Sequence, residues 1–362
     1  MNIHSNYIFR ILGLVAFILS VNIQAEPYLA FKTNNKCSAC HTNPIGGGAR
    51  NSYGAYYGTQ MLPEVVGEIS ALEPGKLSDT FSLGGDLRLN YDQSNRDDQD
   101  AKSFNTQSAQ LYFSVAPKNS KFAFYIDQQV APGSSLNREA FVLTKLKGNN
   151  YIKAGKLMLP YGIRLEDDLA FIRQATQVNF DTSDNGVELG LEYSKAVLNF
   201  AITNGTSSTS NDDENFQFTA RGEYLGDNWR MGLSAALNDA ELGRRTMANV
   251  FGGMNIGGWV FLAELDRIQE EVADGEDDTV QLASFIEVNK EISKGYNLKL
   301  TSEYLDPNDR IDEDERTRHS LLLEYTPYAH LQLRSGVRIG EDIPQRDSGN
   351  FTDFFLQMHM YY

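Results

Sequence analysis

From Leu77 to the end of the chain, apolar and polar residues alternate one by one. Leu87 and Leu89 share one parity, for example, while Asp86 and Arg88 take the other. The same alternation recurs over residues 122–127, 229–238, 259–266 and 331–339. Strict alternation predicts β-strands with one apolar and one polar face. Charged residues recur on the polar face, which suits the wall of a water-filled lumen better than the core of a sandwich, where a buried charge is costly.

The pattern predicts about sixteen strands whose connections alternate between short turns and longer polar loops. An even number of strands with this alternation is typical of the antiparallel barrels of the bacterial outer membrane. We predict an all-β barrel of this kind over residues 77–362, with a large soluble β-sandwich or solenoid as the alternative. The predicted strands are residues 79–92, 104–116, 120–130, 137–147, 150–158, 184–194, 196–204, 214–225, 228–238, 244–255, 258–270, 278–292, 295–306, 315–326, 329–340 and 350–362.

The first 25 residues have the composition of a secretory signal peptide. Arg10 precedes a largely apolar run over residues 11–21, and the segment ends on the small residue Ala25. This run is shorter than the roughly 20 residues that a membrane-spanning helix needs. We therefore predict cleavage after Ala25, with an uncleaved anchor as the alternative.

Net charge excludes one class of partner. The chain has 32 basic and 48 acidic residues, a net charge of −16, which argues against binding to nucleic acid. Many of the acidic residues gather in predicted long loops, at residues 92–100, 211–214, 270–278 and 306–315. There they either keep exposed tips solvated or attract metal cations to the mouth of the barrel.

The segment Lys36–His41 contains the only two cysteines of the chain, arranged as C-x-x-C-H. In this motif Cys37 and Cys40 form thioether links to haem, and the following histidine binds the iron. A redox dithiol or half of a zinc site would also use C-x-x-C, but His41 follows directly and no second cysteine pair exists. We predict one covalent haem c, in a haem segment and connector over residues 26–76.

The sequence defines the second axial ligand of this haem less well. Met61 is the only methionine of the haem segment, twenty residues after His41, and is the predicted ligand. Ligation by histidine and methionine would raise the reduction potential relative to two histidines. Met61 could instead be an ordinary apolar residue beside an open sixth position. The other histidines after Ala25 are all in predicted strands: His319, His330 and His359.

The longest predicted loop follows Leu157 and reaches Asp184. It is partly apolar, which is unusual for a fully exposed loop of about 25 residues. Folded into the lumen, it would narrow the pore and set Arg164 and Arg173 opposite the acidic residues 166–168 as a selectivity zone; it could also simply cap the mouth. Six basic residues have lumen parity and could bind haem propionates, steer anions or keep the pore wet: Arg88, Arg221, Arg230, Lys299, Arg334 and Arg338.

The barrel part resembles a known class of porin. The stretch from Gly155 through Arg173, followed by residues 184–190, is similar to porins of the phosphate-selective O/P type. Those porins are outer-membrane barrels of sixteen or eighteen strands. The resemblance implies the same fold for this chain, and trimers by analogy.

The combination of signal peptide, single C-x-x-C-H motif and barrel resembles the fused monohaem cytochrome–porins. These are outer-membrane cytochromes, some of which oxidise ferrous iron at the cell surface. The resemblance implies thioether links at Cys37 and Cys40, proximal ligation by His41, and a haem in or against the lumen. The chain departs from the iron-oxidising members after the motif, where Gly46–Arg50 stands in place of an aromatic-rich stretch. The three glycines there either turn the backbone sharply near the haem or form a flexible loop.

Taken together, these features predict electron transfer across the outer membrane. Electrons would pass between a periplasmic redox protein and an extracellular donor or acceptor such as ferrous iron, which leaves an iron oxidase activity open. The alternative is a passive porin for small solutes or anions with an accessory periplasmic cytochrome segment. A blocked lumen would favour the first hypothesis and a conducting pore the second.

Overall fold

The computed structural model describes residues 26–67, 75–96, 99–165, 167, 169–208, 210–211, 213–240, 243–272, 278–342 and 349–362. The predicted signal peptide lies outside the described residues. So do Glu166 and Asp168 of the predicted selectivity zone, and parts of the connector and of the acidic loops.

Sixteen antiparallel strands form one closed barrel, in which β1 pairs with both β2 and β16. This confirms the predicted fold class. Within the described residues, no helix is long and apolar enough to cross a membrane. In chain order the strands β1–β16 are Phe81–Arg96, Gln99–Val115, Phe122–Ala131, Leu136–Lys145, Tyr151–Leu157, Asp184–Glu192, Ala196–Thr203, Gln217–Leu225, Trp229–Ala240, Gly243–Ile256, Trp259–Val272, Thr279–Ser293, Tyr296–Asp306, Arg316–Tyr328, Leu331–Glu341 and Phe351–Tyr361.

Two local predictions are wrong. Residues 92–100 were expected to be a loop, but β1 continues to Arg96 and β2 begins at Gln99, with Asp92 paired to Ser103. The hydrogen-bonded pairing of β1 with β2 extends beyond the lipid-facing part of the barrel. Backbone hydrogen bonds do not require apolar side chains there. His330 was expected in a strand but lies in the turn before β15, with a left-handed φ of 69°.

The two faces of the barrel wall differ in the way a lipid-embedded barrel requires. On β9, Met231 and Leu233 point outward and are 50% and 62% exposed, whereas Arg230 and Ser234 point inward and are buried. An apolar outer band of this kind is stable only when lipid covers it. Tyr224 and Trp229, which flank the β8–β9 turn, lie 5.7 Å apart between ring centroids and fit an interfacial girdle.

Two segments fill much of the lumen. The first is the N-terminal segment, residues 26–67. The second is the lumen loop, residues 158–183 between β5 and β6, described except for residues 166 and 168. Their short helices are α1 (Pro27–Thr33), α2 (Ser52–Tyr56) and α3 (Phe171–Thr176), with 3₁₀ turns at Cys37–Ala39 and Phe180–Thr182 and a π-helical turn at Tyr57–Met61. The two segments pack together around buried Tyr28, Leu29, Phe31, Met158, Tyr161 and Ile163, so the main apolar core lies inside the barrel.

A candidate cofactor site in the barrel lumen

The C-x-x-C-H motif folds into one tight turn. The backbone N–H groups of Cys40 and His41 both donate to the Cys37 carbonyl, at 3.1 and 3.0 Å. This turn holds both cysteine side chains and the imidazole in one small region, and the two thiols are free rather than joined in a disulfide. Asn51 fixes the turn from outside, because its backbone N–H donates to the Cys40 carbonyl at 3.0 Å and its side chain donates to the Ser38 carbonyl at 3.1 Å.

The three glycines after the motif form a defined turn. Gly46, Gly47 and Gly48 all have left-handed φ angles, of 94°, 74° and 60°. The Thr42 N–H donates to the Ala49 carbonyl at 2.9 Å and closes the turn. Of the two predictions for these glycines, the structure has the sharp turn rather than the flexible loop.

Burial controls the ionisation of the motif. His41 is 6% exposed, and burial together with the nearby charges of Arg50 and Arg164 lowers the pKa of its imidazole to about 3. Backbone hydrogen bonding with Gly47 and Gly48 opposes this effect without cancelling it. The imidazole is therefore neutral, which is the form that binds a metal. Burial also raises the pKa of the Cys37 and Cys40 thiols, which does not suit a redox dithiol that needs a thiolate.

A cavity opens directly beside the motif, and we call it the motif cavity. It is lined mainly by apolar surface. Cys37, Cys40 and His41 form one wall, and Met158–Arg164 of the lumen loop form another. The barrel wall closes it with Arg221, Glu223, Arg230 and Phe251.

The donor set of this cavity fits a c-type haem. It combines two free thiols one turn apart, a buried neutral imidazole, apolar walls, and guanidinium groups that suit propionates. Of the six cations predicted to face the lumen, Arg221 and Arg230 line this cavity. No three His, Cys, Asp or Glu side chains among the described residues are grouped in a way that could hold a bare metal ion.

The structure does not bring Met61 to this cavity. Met61 lies at the end of the π-helical turn, is 52% exposed, and is not part of the cavity wall. Its ligand role stays a prediction that this position does not support. Sequence reasoning missed Met158, which is 2% exposed and lines the cavity.

Buried polar contacts join the N-terminal segment, the lumen loop and the wall. The key residue is Glu139 on β4, which is completely buried. Its carboxylate accepts hydrogen bonds from the Asn43 side chain at 2.9 and 3.0 Å, from the Met158 N–H at 3.1 Å, and from Arg164 at 2.9 Å. One side chain of the wall therefore holds both lumen segments.

The first described residue, Glu26, is also tied to the wall. Its carboxylate pairs with Lys299 of β13 and lies 3.6 Å from Arg334 of β15. Burial alone would raise its pKa, but these two cations outweigh that effect and lower the pKa of Glu26 to about 2. Glu26 is thus a buried carboxylate in its ionised form.

The lumen loop is anchored within the barrel rather than capping it. The Gly162 and Phe171 N–H groups donate to Ser234 and Glu303 of the wall, at 3.0 and 2.8 Å. Arg164 pairs with Glu139 of the wall, and its predicted position opposite the acidic residues 166–168 stays a prediction, because residues 166 and 168 lie outside the described residues. Asp167 instead reaches the opposite wall, 2.7 Å from Arg338 and 3.3 Å from Arg318. Arg164 and Asp167 turn to the wall because opposite charges are available there.

The N-terminal segment and the lumen loop together form what we call the filled zone of the lumen. Two further cavities lie on either side of it. The turn-side cavity is near the short turns and the chain end, and its wall includes His41, Tyr125 and Tyr361. The loop-side cavity lies between Glu26 and the strand ends that lead to the long loops, and its wall includes Asp92 and Arg338. His41 therefore borders both the motif cavity and the turn-side cavity.

The closed barrel with its apolar outer band and its inward-folded loop defines an outer-membrane porin-like protein. No protein-family model matches the chain, and no curated protein matches its sequence. Its structure is similar to the anion-selective porin of Comamonas acidovorans, with a TM-score of 0.64 and 11% identity over 78% of this chain and 99% of that one. It is also similar to the outer membrane channel DcaP of Acinetobacter baumannii (TM-score 0.61, 13% identity, 78% and 97% covered). A third similar structure is OmpT of Vibrio cholerae in its trimer form, with a TM-score of 0.59 and 11% identity over 78% of this chain and 100% of that one. These likenesses support the predicted outer-membrane porin fold.

Proposed function

We propose that this protein transfers electrons across the outer membrane through one covalent haem c attached at Cys37 and Cys40 and bound by His41. The observation that carries the proposal is the position of the motif, which lies inside the lumen and borders a cavity whose thiols, imidazole, apolar walls and guanidinium groups suit such a haem. A haem held there supplies a one-electron iron couple. The chain's own residues hold it covalently, supply a neutral imidazole and keep the site apolar.

The position of the site supports transfer between two faces. His41 also borders the turn-side cavity, which we assign to the periplasmic face because short turns lie there in outer-membrane barrels. A periplasmic redox protein would exchange electrons at that face. An extracellular donor or acceptor, such as ferrous iron, would react from the loop side.

The test uses protein purified from outer membranes. We expect a haem-stained band, a spectrum that titrates with potential, reduction by a surface donor such as ferrous iron, and low ion conductance in a planar bilayer. The variant Cys37→Ser with Cys40→Ser should lose the stain while the barrel remains folded. Absence of covalent haem from the wild-type protein would overturn the proposal.

A passive porin is the second candidate, and the porin-like fold favours it. One of the similar structures is that of an anion-selective porin, and the loop-side cavity here carries cations such as Lys299, Arg334 and Arg338. A large conductance with anion preference, beside a haem that does not respond to external donors, would establish this function instead. By analogy with OmpT, which was solved in a trimer form, we propose a homotrimer, to be checked by native mass measurement.

A further inference from the structure

The motif cavity contains few side chains of the types that hold haem iron. Those types are histidine, cysteine, methionine and tyrosine. Apart from the C-x-x-C-H motif, the described wall of the cavity includes three of them: Tyr57, Met158 and Tyr161. The choice of a second axial ligand among the described wall residues is therefore narrow.

The two tyrosines are poor ligands in this setting. Tyrosine binds haem iron as the phenolate, so it must lose its proton. Burial, followed by the Glu291 charge, raises the pKa of Tyr57 to about 12. Burial and the carboxylates Asp266 and Glu264 also raise the pKa of Tyr161 well above its usual value. Both phenols stay protonated at neutral pH.

Met158 needs no deprotonation and is held in place. It directly follows β5, which ends at Leu157, and it is 2% exposed. Its N–H donates to Oε1 of Glu139 at 3.1 Å, and the same oxygen accepts from Asn43 at 3.0 Å. Asn43 is two residues after His41, so one carboxylate oxygen ties the backbone of Met158 to the haem motif.

We propose that Met158, on the lumen loop, is the second axial ligand of the haem iron and completes the pair with His41. This inference rests on the proposed haem attachment. A thioether is neutral and adaptable, and its pairing with histidine raises the reduction potential relative to two histidines. One ligand would then come from the N-terminal segment and the other from the barrel, so the spectrum of the haem would report on their docking.

The test compares full-length Met158→Leu with Met61→Leu, a matched change at the methionine outside the cavity. We expect Met158→Leu to keep the haem stain, lose the low-spin spectrum, gain carbon monoxide binding in the ferrous form, and shift to a lower midpoint potential. Met61→Leu should match the wild type in all four. An unchanged spectrum in Met158→Leu would overturn the inference, as would the expected losses appearing in Met61→Leu.

A second variant guards against misfolding. Met158→His should remain low-spin and shift to a lower midpoint potential, because histidine replaces the thioether. A midpoint unchanged from wild type would also overturn the inference. The haem stain of the wild-type protein separates the two proposals: no stain removes the proposed function itself, whereas a stained protein whose spectrum ignores residue 158 removes only this ligand.

Discussion

At the residue scale, Gly48 marks a close approach between the N-terminal segment and the barrel wall. Its φ is left-handed at 60°, and a Cβ placed on it would lie 1.8 Å from the Tyr125 hydroxyl oxygen. That hydroxyl also accepts a hydrogen bond from the Ala49 N–H at 3.1 Å. The absence of a side chain is therefore what lets the turn after the motif reach the wall.

We predict that Gly48→Ala loosens the N-terminal segment while the barrel stays closed. The clash with Tyr125 should cost about 1–3 kcal/mol, and the left-handed backbone roughly 1–2 kcal/mol more. Hydrogen exchange over residues 26–67 in micelles should accelerate by at least about tenfold, with strand amides unchanged.

The matched control is Tyr125→Phe, which removes the clashing oxygen. Alone it should cost about 1 kcal/mol for the lost hydrogen bond to Ala49. Combined with Gly48→Ala, it should loosen the segment less than the sum of the two single variants, since residues in contact couple. Strict additivity would show that the clash is not the cause.

At the element scale, the docking of helix α1 in the lumen depends on the ion pairs of Glu26, the residue before it. Glu26 precedes α1 and is buried against Lys299 and Arg334. Its pKa is about 2 rather than the ordinary 4.5, so the folded state binds fewer protons than the unfolded one. This contribution to stability is complete above pH 4.5 and is lost as the pH falls towards about 2.

We predict that Glu26→Gln weakens the docking of α1 by up to about 3 kcal/mol, at the low end of the range for a broken buried pair. The loss stays moderate because Lys299 keeps Glu324 at 3.2 Å. Hydrogen exchange of α1, corrected for intrinsic rates, should speed up in the wild type as the pH falls from 4.5 towards 2, and should lose this dependence in the variant.

Glu64→Gln is the comparison for this experiment. Glu64 also joins the N-terminal segment to the wall, accepting a hydrogen bond from Tyr325 at 2.6 Å, but it is exposed. An exposed contact contributes little, so this variant should behave like the wild type. Equal loosening by both variants would refute the importance of the buried pair.

The elements themselves were largely predictable from the sequence, and the contents of the lumen were not. Alternation in β9 or β11 is a local pattern that repeats every two residues, so it predicts strands and their inward faces directly. The contacts that fill the lumen join distant residues, such as Asn43 with Glu139 and Glu26 with Lys299. No local pattern encodes these pairs.

The same reasoning explains the missed methionine. Met61 was chosen because it is near the motif in sequence, whereas Met158 reaches the motif cavity only because the lumen loop folds inward. In the sequence, Met158 is simply the last residue of the predicted strand 150–158. Its one signal was the partly apolar character of the loop, which indicated burial without indicating a partner.

At the scale of the whole molecule, the filled zone separates two water-accessible cavities. The N-terminal segment is fixed at the turn side and deeper in the lumen: the Asn34 side chain donates to the β8–β9 turn at Gly226, at 2.6 Å, and Asn43 binds the wall deeper in the lumen. A redox centre bound at His41 would face the turn-side cavity and be separated by protein from the loop side. Insulation and solute flow make opposite demands on the lumen, so conductance discriminates between the two proposed functions.

We predict that the N-terminal segment is what closes the pore. Removing residues 26–67 and joining the signal peptide to residue 75 should raise the conductance in planar bilayers to that of an open porin. Charged wall residues that now contact the segment, such as Arg230 and Lys299, would be rehydrated and would line the opened passage. Heat-dependent gel mobility would check that the barrel still forms.

The control keeps the segment but removes the thiols that would attach haem, through Cys37→Ser with Cys40→Ser. If the segment itself closes the lumen, this variant conducts as little as the full chain, because the contacts of Glu26, Asn43 and Glu139 remain. Opening of this variant would mean that the cofactor, rather than the polypeptide, fills the passage. If the truncated barrel conducts as little as the full chain, the lumen loop alone closes the pore. Its anchors at Ser234, Glu303 and Arg338 do not involve the N-terminal segment.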